Sequence, residues 1–404
     1  MNVNDQAAES TLLLSNSARA LQDILRAKIQ QDGFMSVADF MALILGHLQH
    51  GYYMRQDPFG QRGDFTTAPE ISQLFGEMIG IWLADYWQRM GAPPRVILCE
   101  IGAGRGSLMR DILRVAAGVA GLSAALEVHI VETSPVLRAV QSDTLKGGNI
   151  GSLGGSSAVQ WHEDFAAVPD HEPLFVVANE LLDALPVQQY CYQGGGWHER
   201  GIVLSPQGTT NDKTRDNEHD GEHLGKRVFD WGLRPSPDFA APLGFPVPLQ
   251  GAICEISLAR EALVSEIAQR LKRQSGAALM IDYGHEKSDY GDTLQALRQH
   301  KIVNVLDGDT LGDADITSHV DFGRLREVVA AQGIDFCALN TQGAFLHNMG
   351  IALRAARLLE QGDKNQREDV TKALHRLTHS DEMGALFKVM GMAHGTNEVQ
   401  PAGF

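Results

Sequence analysis

One stretch of the chain sets closely spaced glycines directly behind an acid: Glu100-Ile-Gly102-Ala-Gly104-Arg-Gly106. It follows a short apolar run, Val96 to Cys99, and helical spacing resumes at Leu108, Ile112, Leu113 and Val115. A strand that runs into glycines and then a helix presents free backbone N–H groups at the helix start. Glycine allows the tight turn and removes the Cβ that would block a ligand. The ligand belongs outside the carboxyl ends of the strands, at a switch in strand order. A dinucleotide fingerprint G-x-G-x-x-G begun at Gly102 needs glycine at 107, where the chain has Ser107. The carboxylate of Glu100 would repel a pyrophosphate and favour the amino group of a methionine moiety. These residues therefore point to S-adenosyl-L-methionine rather than NAD, with a purely structural turn as the alternative.

Further polar residues fall at later strand ends. Glu132 closes the apolar run Leu126 to Val131, where a carboxylate can accept hydrogen bonds from both hydroxyls of an adenosine ribose. A solvated strand end is the other reading. Asp164-Phe165 follows a brief strand, Ala158 to Trp161; Asp164 can meet the adenine amino group and Phe165 can cover its ring face. A solvated loop acid beside a core phenylalanine has a comparable claim. Asn179-Glu180 follows the strand Leu174 to Ala178 within VVANELLDALP. There two polar side chains can align a nitrogen nucleophile and accept its charge or proton, or simply cap the next helix. Asp183, three residues on, would share that helix face as a second acidic contact. Asp282-Tyr283-Gly284-His285 ends a fifth strand, Ala277 to Ile281, and His285 is a weaker substrate candidate. Residues 63–70, GDFTTAPE, mix polar and aromatic residues with turns just before a helix. They can cap that helix, or fold over the glycine edge and close the cofactor pocket, placing Asp64 and Thr67 against the cofactor. No metal-ligand spacing and no G-x-S-x-G elbow occurs.

The elements that must position these groups read as an α/β protein. Residues 17–30 and 36–48 have helical spacing, Ser36 being a candidate cap with Asp39 three residues on. Residues 51–70 read as a long loop and Ile71 to Met90 as an amphipathic helix. From residue 95 strands alternate with helices, which predicts a parallel sheet covered on both faces; Ser134-Pro135 opens one of those helices. Residues 187–250 break the rhythm with hairpins around Gly194-Gly195-Gly196, a polar loop over 205–227 and five prolines between 235 and 248. Ser288 to Thr317 reads as loop with one short helix, Phe322 to Ala331 as a helix, Phe336 to Asn340 as a late strand, and 344–391 as largely helical. The expected organisation is an N-terminal helical and pocket-closing region (1–90), a first core part (91–186), an inserted β/loop region on the substrate side (187–250) and a second core part with C-terminal helices (251–404).

Composition narrows the partners. Among 404 residues, 50 acids face 34 Lys and Arg, a formal net charge of −16. That field repels a long anionic polymer, so nucleic acid is not expected as a general partner. No run approaches a membrane span. Four dispersed cysteines without C-x-x-C spacing suit a reducing compartment rather than a disulfide framework. The N-terminal residues lack a basic leader, so a cytoplasmic location is the expectation.

Taken together, the segments SVADFMALIL, GYYMRQDPFGQRGDFTTAPEISQLFGEMIGIW, CEIGAGRGSLMRDILR, VHIVETSPVLRAVQ, NELLDALPVQQY, LMIDYG, DITSHVDF, TQGAFL and DEMGALFKVM resemble the MidA-type class I methyltransferases over about residues 20 to 395. That family has a mitochondrial branch in which a respiratory complex I assembly factor dimethylates an arginine. The resemblance implies a Rossmann-like, seven-stranded methyltransferase sheet with helical additions, S-adenosyl-L-methionine as cofactor and a protein substrate with a target arginine. It places the glycine motif on Gly102, Gly104 and Gly106, the second-strand acid on Glu132, the post-strand motif on Asn179-Glu180 and the pocket-closing segment on Asp64 to Glu70. The mitochondrial relative has Pro where this chain has Ala103, a change a turn tolerates. The expected activity is methyl transfer to a protein arginine, with Glu180 orienting the guanidinium. The alternatives are a methyltransferase for a small molecule or another residue, and an assembly factor that binds the cofactor without turnover.

Overall fold

The computed structural model describes residues 3–55, 57–58, 67–146, 159–206, 228–395 and 400–404. The chain forms two compact units. The larger comprises Tyr53–Leu185, Ser257–Asp289 and Thr317–Phe404, and the smaller Met1–Tyr52, Pro186–Ile256 and Tyr290–Ile316. The expected boundaries shift accordingly. The helix Gln73–Arg89 belongs to the larger unit, and Tyr290–Ile316 joins the inserted region in the smaller.

The larger unit is built on strands β1 (Val96–Ile101), β2 (Leu126–Val131), β3 (Gln160–His162), β4 (Leu174–Asn179), β5 (Gly276–His285), β6 (Phe336–Thr341) and β7 (Phe387–His394). They run in the order β6-β7-β5-β4-β1-β2-β3, and the pair Val320–Asp321 adds an eighth strand on the end of β5. The sheet is parallel except for β7, which is antiparallel to both β5 and β6. β4 and β2 flank β1, so the strand order reverses at β1. That is where a doubly wound sheet opens its crevice.

Two departures from expectation concern this sheet. Residues 344–391 are not helical throughout, since the apolar run from Phe387 becomes an interior strand. A short apolar run cannot be told from a buried helix by periodicity, and here its partners β5 and β6 decide. The fifth strand also does not stop at Ile281. It continues to His285 because Asp282 and Tyr283 pair with β7, and Gly284 and His285 with Val320–Asp321.

Alternation along each strand assigns its side chains to two cores. Val96, Leu98, Phe175 and Val177 pack beneath the helices Gln73–Arg89 and Ser107–Ala117. Ile97, Cys99, Val176 and Ala178 pack on the other face with the helices Leu258–Gln274 and Phe322–Gln332. The helix Ser107–Ala117 is set close to its neighbour by two glycines: a Cβ on Gly76 would lie 2.5 Å from Asp111 Cβ, and one on Gly80 2.8 Å from Val115 Cβ. Ser72 caps the helix Gln73–Arg89, its side chain accepting from the Leu74 N–H at 3.2 Å.

The smaller unit holds a five-stranded antiparallel sheet. Gly196–Leu204 pairs with Met35–Ser36, Gln188–Gln193 and Phe229–Pro235, and Ile253–Ile256 pairs with Gln188–Gln193. The expected hairpin turns at Gly194-Gly195, both with positive φ. Ser36 caps the helix Val37–Gly46, accepting from the Asp39 N–H at 3.0 Å. Ser288 to Thr317 carries more structure than its polar sequence suggests: strands at Gln295–Arg298, Lys301–Val303 and Asp315–Thr317, with one short 3-10 helix at Gly308–Thr310. The loop over 205–227 lies outside the described residues from 207 on.

Candidate functional site

The glycine loop, the end of β4 and residues 67–70 line a cleft at the carboxyl ends of β1 and β4. Gly102, Gly104 and Gly106 all have positive φ (69°, 51° and 79°), which lets the chain turn from β1 into the helix at Ser107. Gly102 and Gly104 line the cleft; Gly106 caps the helix and does not. Glu100 and Asn179 reach the cleft for one shared reason. Glu100 pairs with Val177 across β1 and β4, and Asn179 stands two residues further on the same face.

Both side chains are more than nine-tenths buried and both keep an acceptor in reserve. Glu100 Oε2 and Asn179 Oδ1 have no hydrogen-bond partner among the described residues. Such atoms are costly unless a ligand supplies donors. Burial pushes the Glu100 carboxyl up to about 8, with the Met109 backbone N–H acting in the opposite sense. An ammonium group suits two buried acceptors of this kind, and the bare glycine backbone beside them admits it.

Glu180 has a left-handed backbone, φ 50°, unusual for a residue with a side chain. Its Oε1 accepts from the Ala68 N–H at 2.9 Å and from Asn179 Nδ2 at 3.1 Å. Burial, with the Asp183 charge adding to it, pushes its carboxyl up to about 7. No helix follows it: residues 180–185 are bends and turns. Glu180 therefore caps no helix, and Asp183 shares no helix face with it. Asp183 is buried below the cleft rather than on its wall, accepting a hydrogen bond from the Tyr283 hydroxyl. Burial also drives the fully buried Asp282 carboxyl well above the carboxylate range.

The other expected residues divide. Thr67 lines the cleft at the start of the turn Ala68–Ile71, together with Pro69 and Glu70. Since Ser72 caps the following helix, residues 67–70 are not needed for that. Asp64 lies outside the described residues. Glu132 is buried at the end of β2, its Oε1 accepting from the Ser134 N–H at 2.8 Å and its Oε2 from Gln141 Nε2 at 3.0 Å. Asp164 is exposed and caps the 3-10 turn Phe165–Ala167 through the Ala166 N–H. Phe165 is buried in the lower core with the Arg270 guanidinium 4.7 Å from its ring centroid. His285 lies 3.8 Å from the Asp321 carboxylate and away from the cleft.

Three contributors escaped the reading of the sequence. Arg105 lines the cleft, its Nε 3.0 Å from Asp57 and its Nη1 3.5 Å from Glu70, and Glu70 also accepts a short hydrogen bond from the Ser107 hydroxyl. Gln141 ties the glycine loop to Glu132 by donating to Gly104 O at 2.9 Å. A signal for it exists, since it interrupts the buried stripe Leu137, Leu145 at four-residue spacing. Arg260 stands in the first turn of the helix Leu258–Gln274, where a cation opposes the helix dipole. Among the described residues no group of three or more potential metal ligands occurs, and no helix is long and apolar enough to cross a membrane.

A Rossmann-like sheet reversing at β1, with a glycine cradle and buried acceptors at that point, defines a class I methyltransferase. Residues 78–339 match the S-adenosyl-L-methionine-dependent methyltransferase family, and the chain belongs to it. The chain is 35% identical over 388 residues to the Drosophila melanogaster protein arginine methyltransferase NDUFAF7 homolog, mitochondrial, covering 92% of this chain and 84% of that protein. It is 33% identical to the Xenopus laevis protein arginine methyltransferase NDUFAF7, mitochondrial, with the same coverage. A Burkholderia thailandensis crystal structure bound to S-adenosyl-homocysteine superimposes with a TM-score of 0.76 at 28% identity, over 96% of this chain and 97% of that one.

The cofactor is S-adenosyl-L-methionine, and the buried acceptors in the cleft fit its ammonium. Binding should then release protons. Glu100 holds a proton below about pH 8 in the free protein, and the incoming ammonium favours its ionised form. Calorimetry of S-adenosyl-homocysteine binding at pH 7, in buffers of different ionisation enthalpy, is expected to show nearly one proton released. Glu100→Gln should abolish the release. Equal release from the two proteins would take the role away from Glu100.

Proposed function

We propose that this protein transfers the methyl group of S-adenosyl-L-methionine to an arginine side chain of a protein substrate. The observation that carries the reading is the placement of Glu180: a carboxylate on the cleft wall, aimed by a left-handed backbone, with Asp183 and Asp282 buried behind it. A carboxylate on the wall of the cleft favours a cationic partner. A guanidinium is always protonated before reaction and can pair bidentately with a carboxylate. The names of the insect and amphibian relatives support the same substrate.

When bound, the cofactor supplies an electrophilic methyl group on a sulfonium sulfur. Glu100 and Asn179 hold its amino acid end, and the glycine loop lets its body lie against the backbone. Glu180 fixes one guanidinium nitrogen in line, balances its charge, and takes up the proton that this nitrogen loses on gaining the methyl group. The net charge of −16 draws a basic segment of the substrate towards the protein. A cytoplasmic location is part of this proposal, in keeping with four free cysteines. The test compares methylarginine across the proteome, by mass spectrometry, in cells with and without this chain. Loss of the modification from one or a few proteins is the expected result. An unchanged methylarginine profile beside altered methylation of a small molecule or another residue would overturn it.

A further inference from the structure

The turn that carries Glu180 has its backbone tied down from outside. The Glu180 N–H donates to Ile281 O at 2.8 Å, and the Asp183 N–H donates to Asp282 Oδ2 at 3.1 Å. Two of its carbonyls also accept from one buried side chain: Arg260 Nε donates to Leu182 O at 2.6 Å and its Nη2 to Asp183 O at 3.0 Å. The same guanidinium reaches a second turn, donating to His319 O at 2.8 Å, to Ser318 O at 3.2 Å and to Ser318 Oγ at 2.7 Å. Ser318 closes the loop, its N–H donating to Asp183 O at 3.1 Å. Arg260 is 4% exposed, so these bonds are made away from water.

Such an arrangement exceeds what charge balance requires. A buried cation beside acids is expected to pair with a carboxylate. Arg260 makes these five bonds to carbonyl and hydroxyl oxygens, four of them backbone, and its charge also favours the ionised form of Asp183. Leu182 O accepts locally from the Leu185 N–H at 3.1 Å, and the guanidinium adds a bond from outside to it and to Asp183 O. It thereby holds open a turn in which Glu180 keeps φ at 50°. Without the fork the run ELLDAL is free to relax towards a helical turn, which swings Glu180 off the cleft wall.

We infer that Arg260 is a positioning residue for Glu180: its five-bond fork, shared between the 182–183 and 318–319 turns, sets where the Glu180 carboxylate stands relative to the transferring methyl. The inference rests on the reading of Glu180 in the proposed function. It also gives the DITSHVDF segment a task, since Ser318 and His319 are the far anchor of the fork.

The test needs no substrate. Sinefungin is an S-adenosyl-homocysteine analogue with a primary ammonium where the methyl group projects. Its affinity relative to S-adenosyl-homocysteine, measured by calorimetry at pH 8, reports a carboxylate at that point. The intact protein should prefer sinefungin by about tenfold or more, the scale of one charge-assisted hydrogen bond. Glu180→Gln should remove the preference. Arg260→Lys keeps a charge but cannot span both turns, and should lose most of the preference while binding S-adenosyl-homocysteine within about threefold; this is the expectation for displacement of a group rather than unfolding. The double variant should behave as Glu180→Gln alone, because the two changes act through one carboxylate. Ser318→Ala removes a single bond and should cost about two- to threefold in preference, so the question survives an Arg260 variant that does not fold. A full preference in folded Arg260→Lys or in Ser318→Ala overturns the inference, as does an added loss in the double variant. A full preference in Glu180→Gln has a different signature: it overturns the reading of Glu180, and the fork's role with it.

Discussion

In Glu180→Gln, methyl transfer to a confirmed protein substrate should fall by roughly 10²-fold or more at saturating cofactor, while cofactor affinity stays within a few-fold. Glutamine keeps the size of the side chain and an oxygen to accept from the Ala68 N–H and from Asn179 Nδ2, so the local geometry has little reason to change. What goes is the charge that fixes the guanidinium. The pH dependence checks the assignment a second way. Glu180 is pushed up to about 7 and works only when ionised, so kcat/KM of the intact protein should drop as pH falls through about 7. That acid limb should be missing from the residual activity of the variant. A capping residue would lose a little stability and leave turnover alone, but no helix follows Glu180 for it to cap. Near-normal turnover by a folded Glu180→Gln protein would remove it from the catalytic list.

Gly104→Val should abolish cofactor binding. Gly104 lines the cleft with φ at 51°, and its carbonyl is held by Gln141 at 2.9 Å. A β-branched residue in the left-handed region costs about 1–2 kcal/mol or more. The larger penalty falls on the ligand, because a side chain here projects from a loop whose use depends on bare backbone. The expected calorimetric result is no measurable heat of binding for S-adenosyl-homocysteine, in a protein whose far-ultraviolet spectrum is unchanged. Wild-type affinity in that folded variant would mean that the ligand lies elsewhere.

The parts of this molecule legible in the sequence are those whose signals are local. β1, the glycines and the helix from Ser107 stand together in one short segment, and β2, β4 and much of β5 announce themselves as apolar runs ending in polar residues. What escaped depends on partners far along the chain. β7 is a strand only because β5 and β6 accept it. The run ELLDAL has helical spacing and a helix-capping Asn before it, yet Ile281, Asp282 and Arg260 claim its backbone and hold a turn. Arg260 itself lies 80 residues from Glu180 and looks like a surface residue of an amphipathic helix. For the site the same division holds. Glu100, Gly102, Gly104, Thr67, Asn179 and Glu180 meet at the cleft, whereas Glu132, Asp164 and Phe165 have structural partners that no spacing reveals.

The place of β7 also bears on how the chain is made. Synthesis runs from the N-terminus, and domains generally fold as their residues emerge. The smaller unit has all its strands once residue 317 has appeared. The sheet that carries the cofactor cleft does not, because its last-made strand, Phe387–His394, is an interior one. Until those residues leave the ribosome, β6 has no neighbour and the apolar β5 is an unguarded edge, the kind of surface that invites pairing with other chains. The nascent protein therefore passes through an interval in which its cofactor sheet is open on one side, and it closes only once Phe387–His394 has been made.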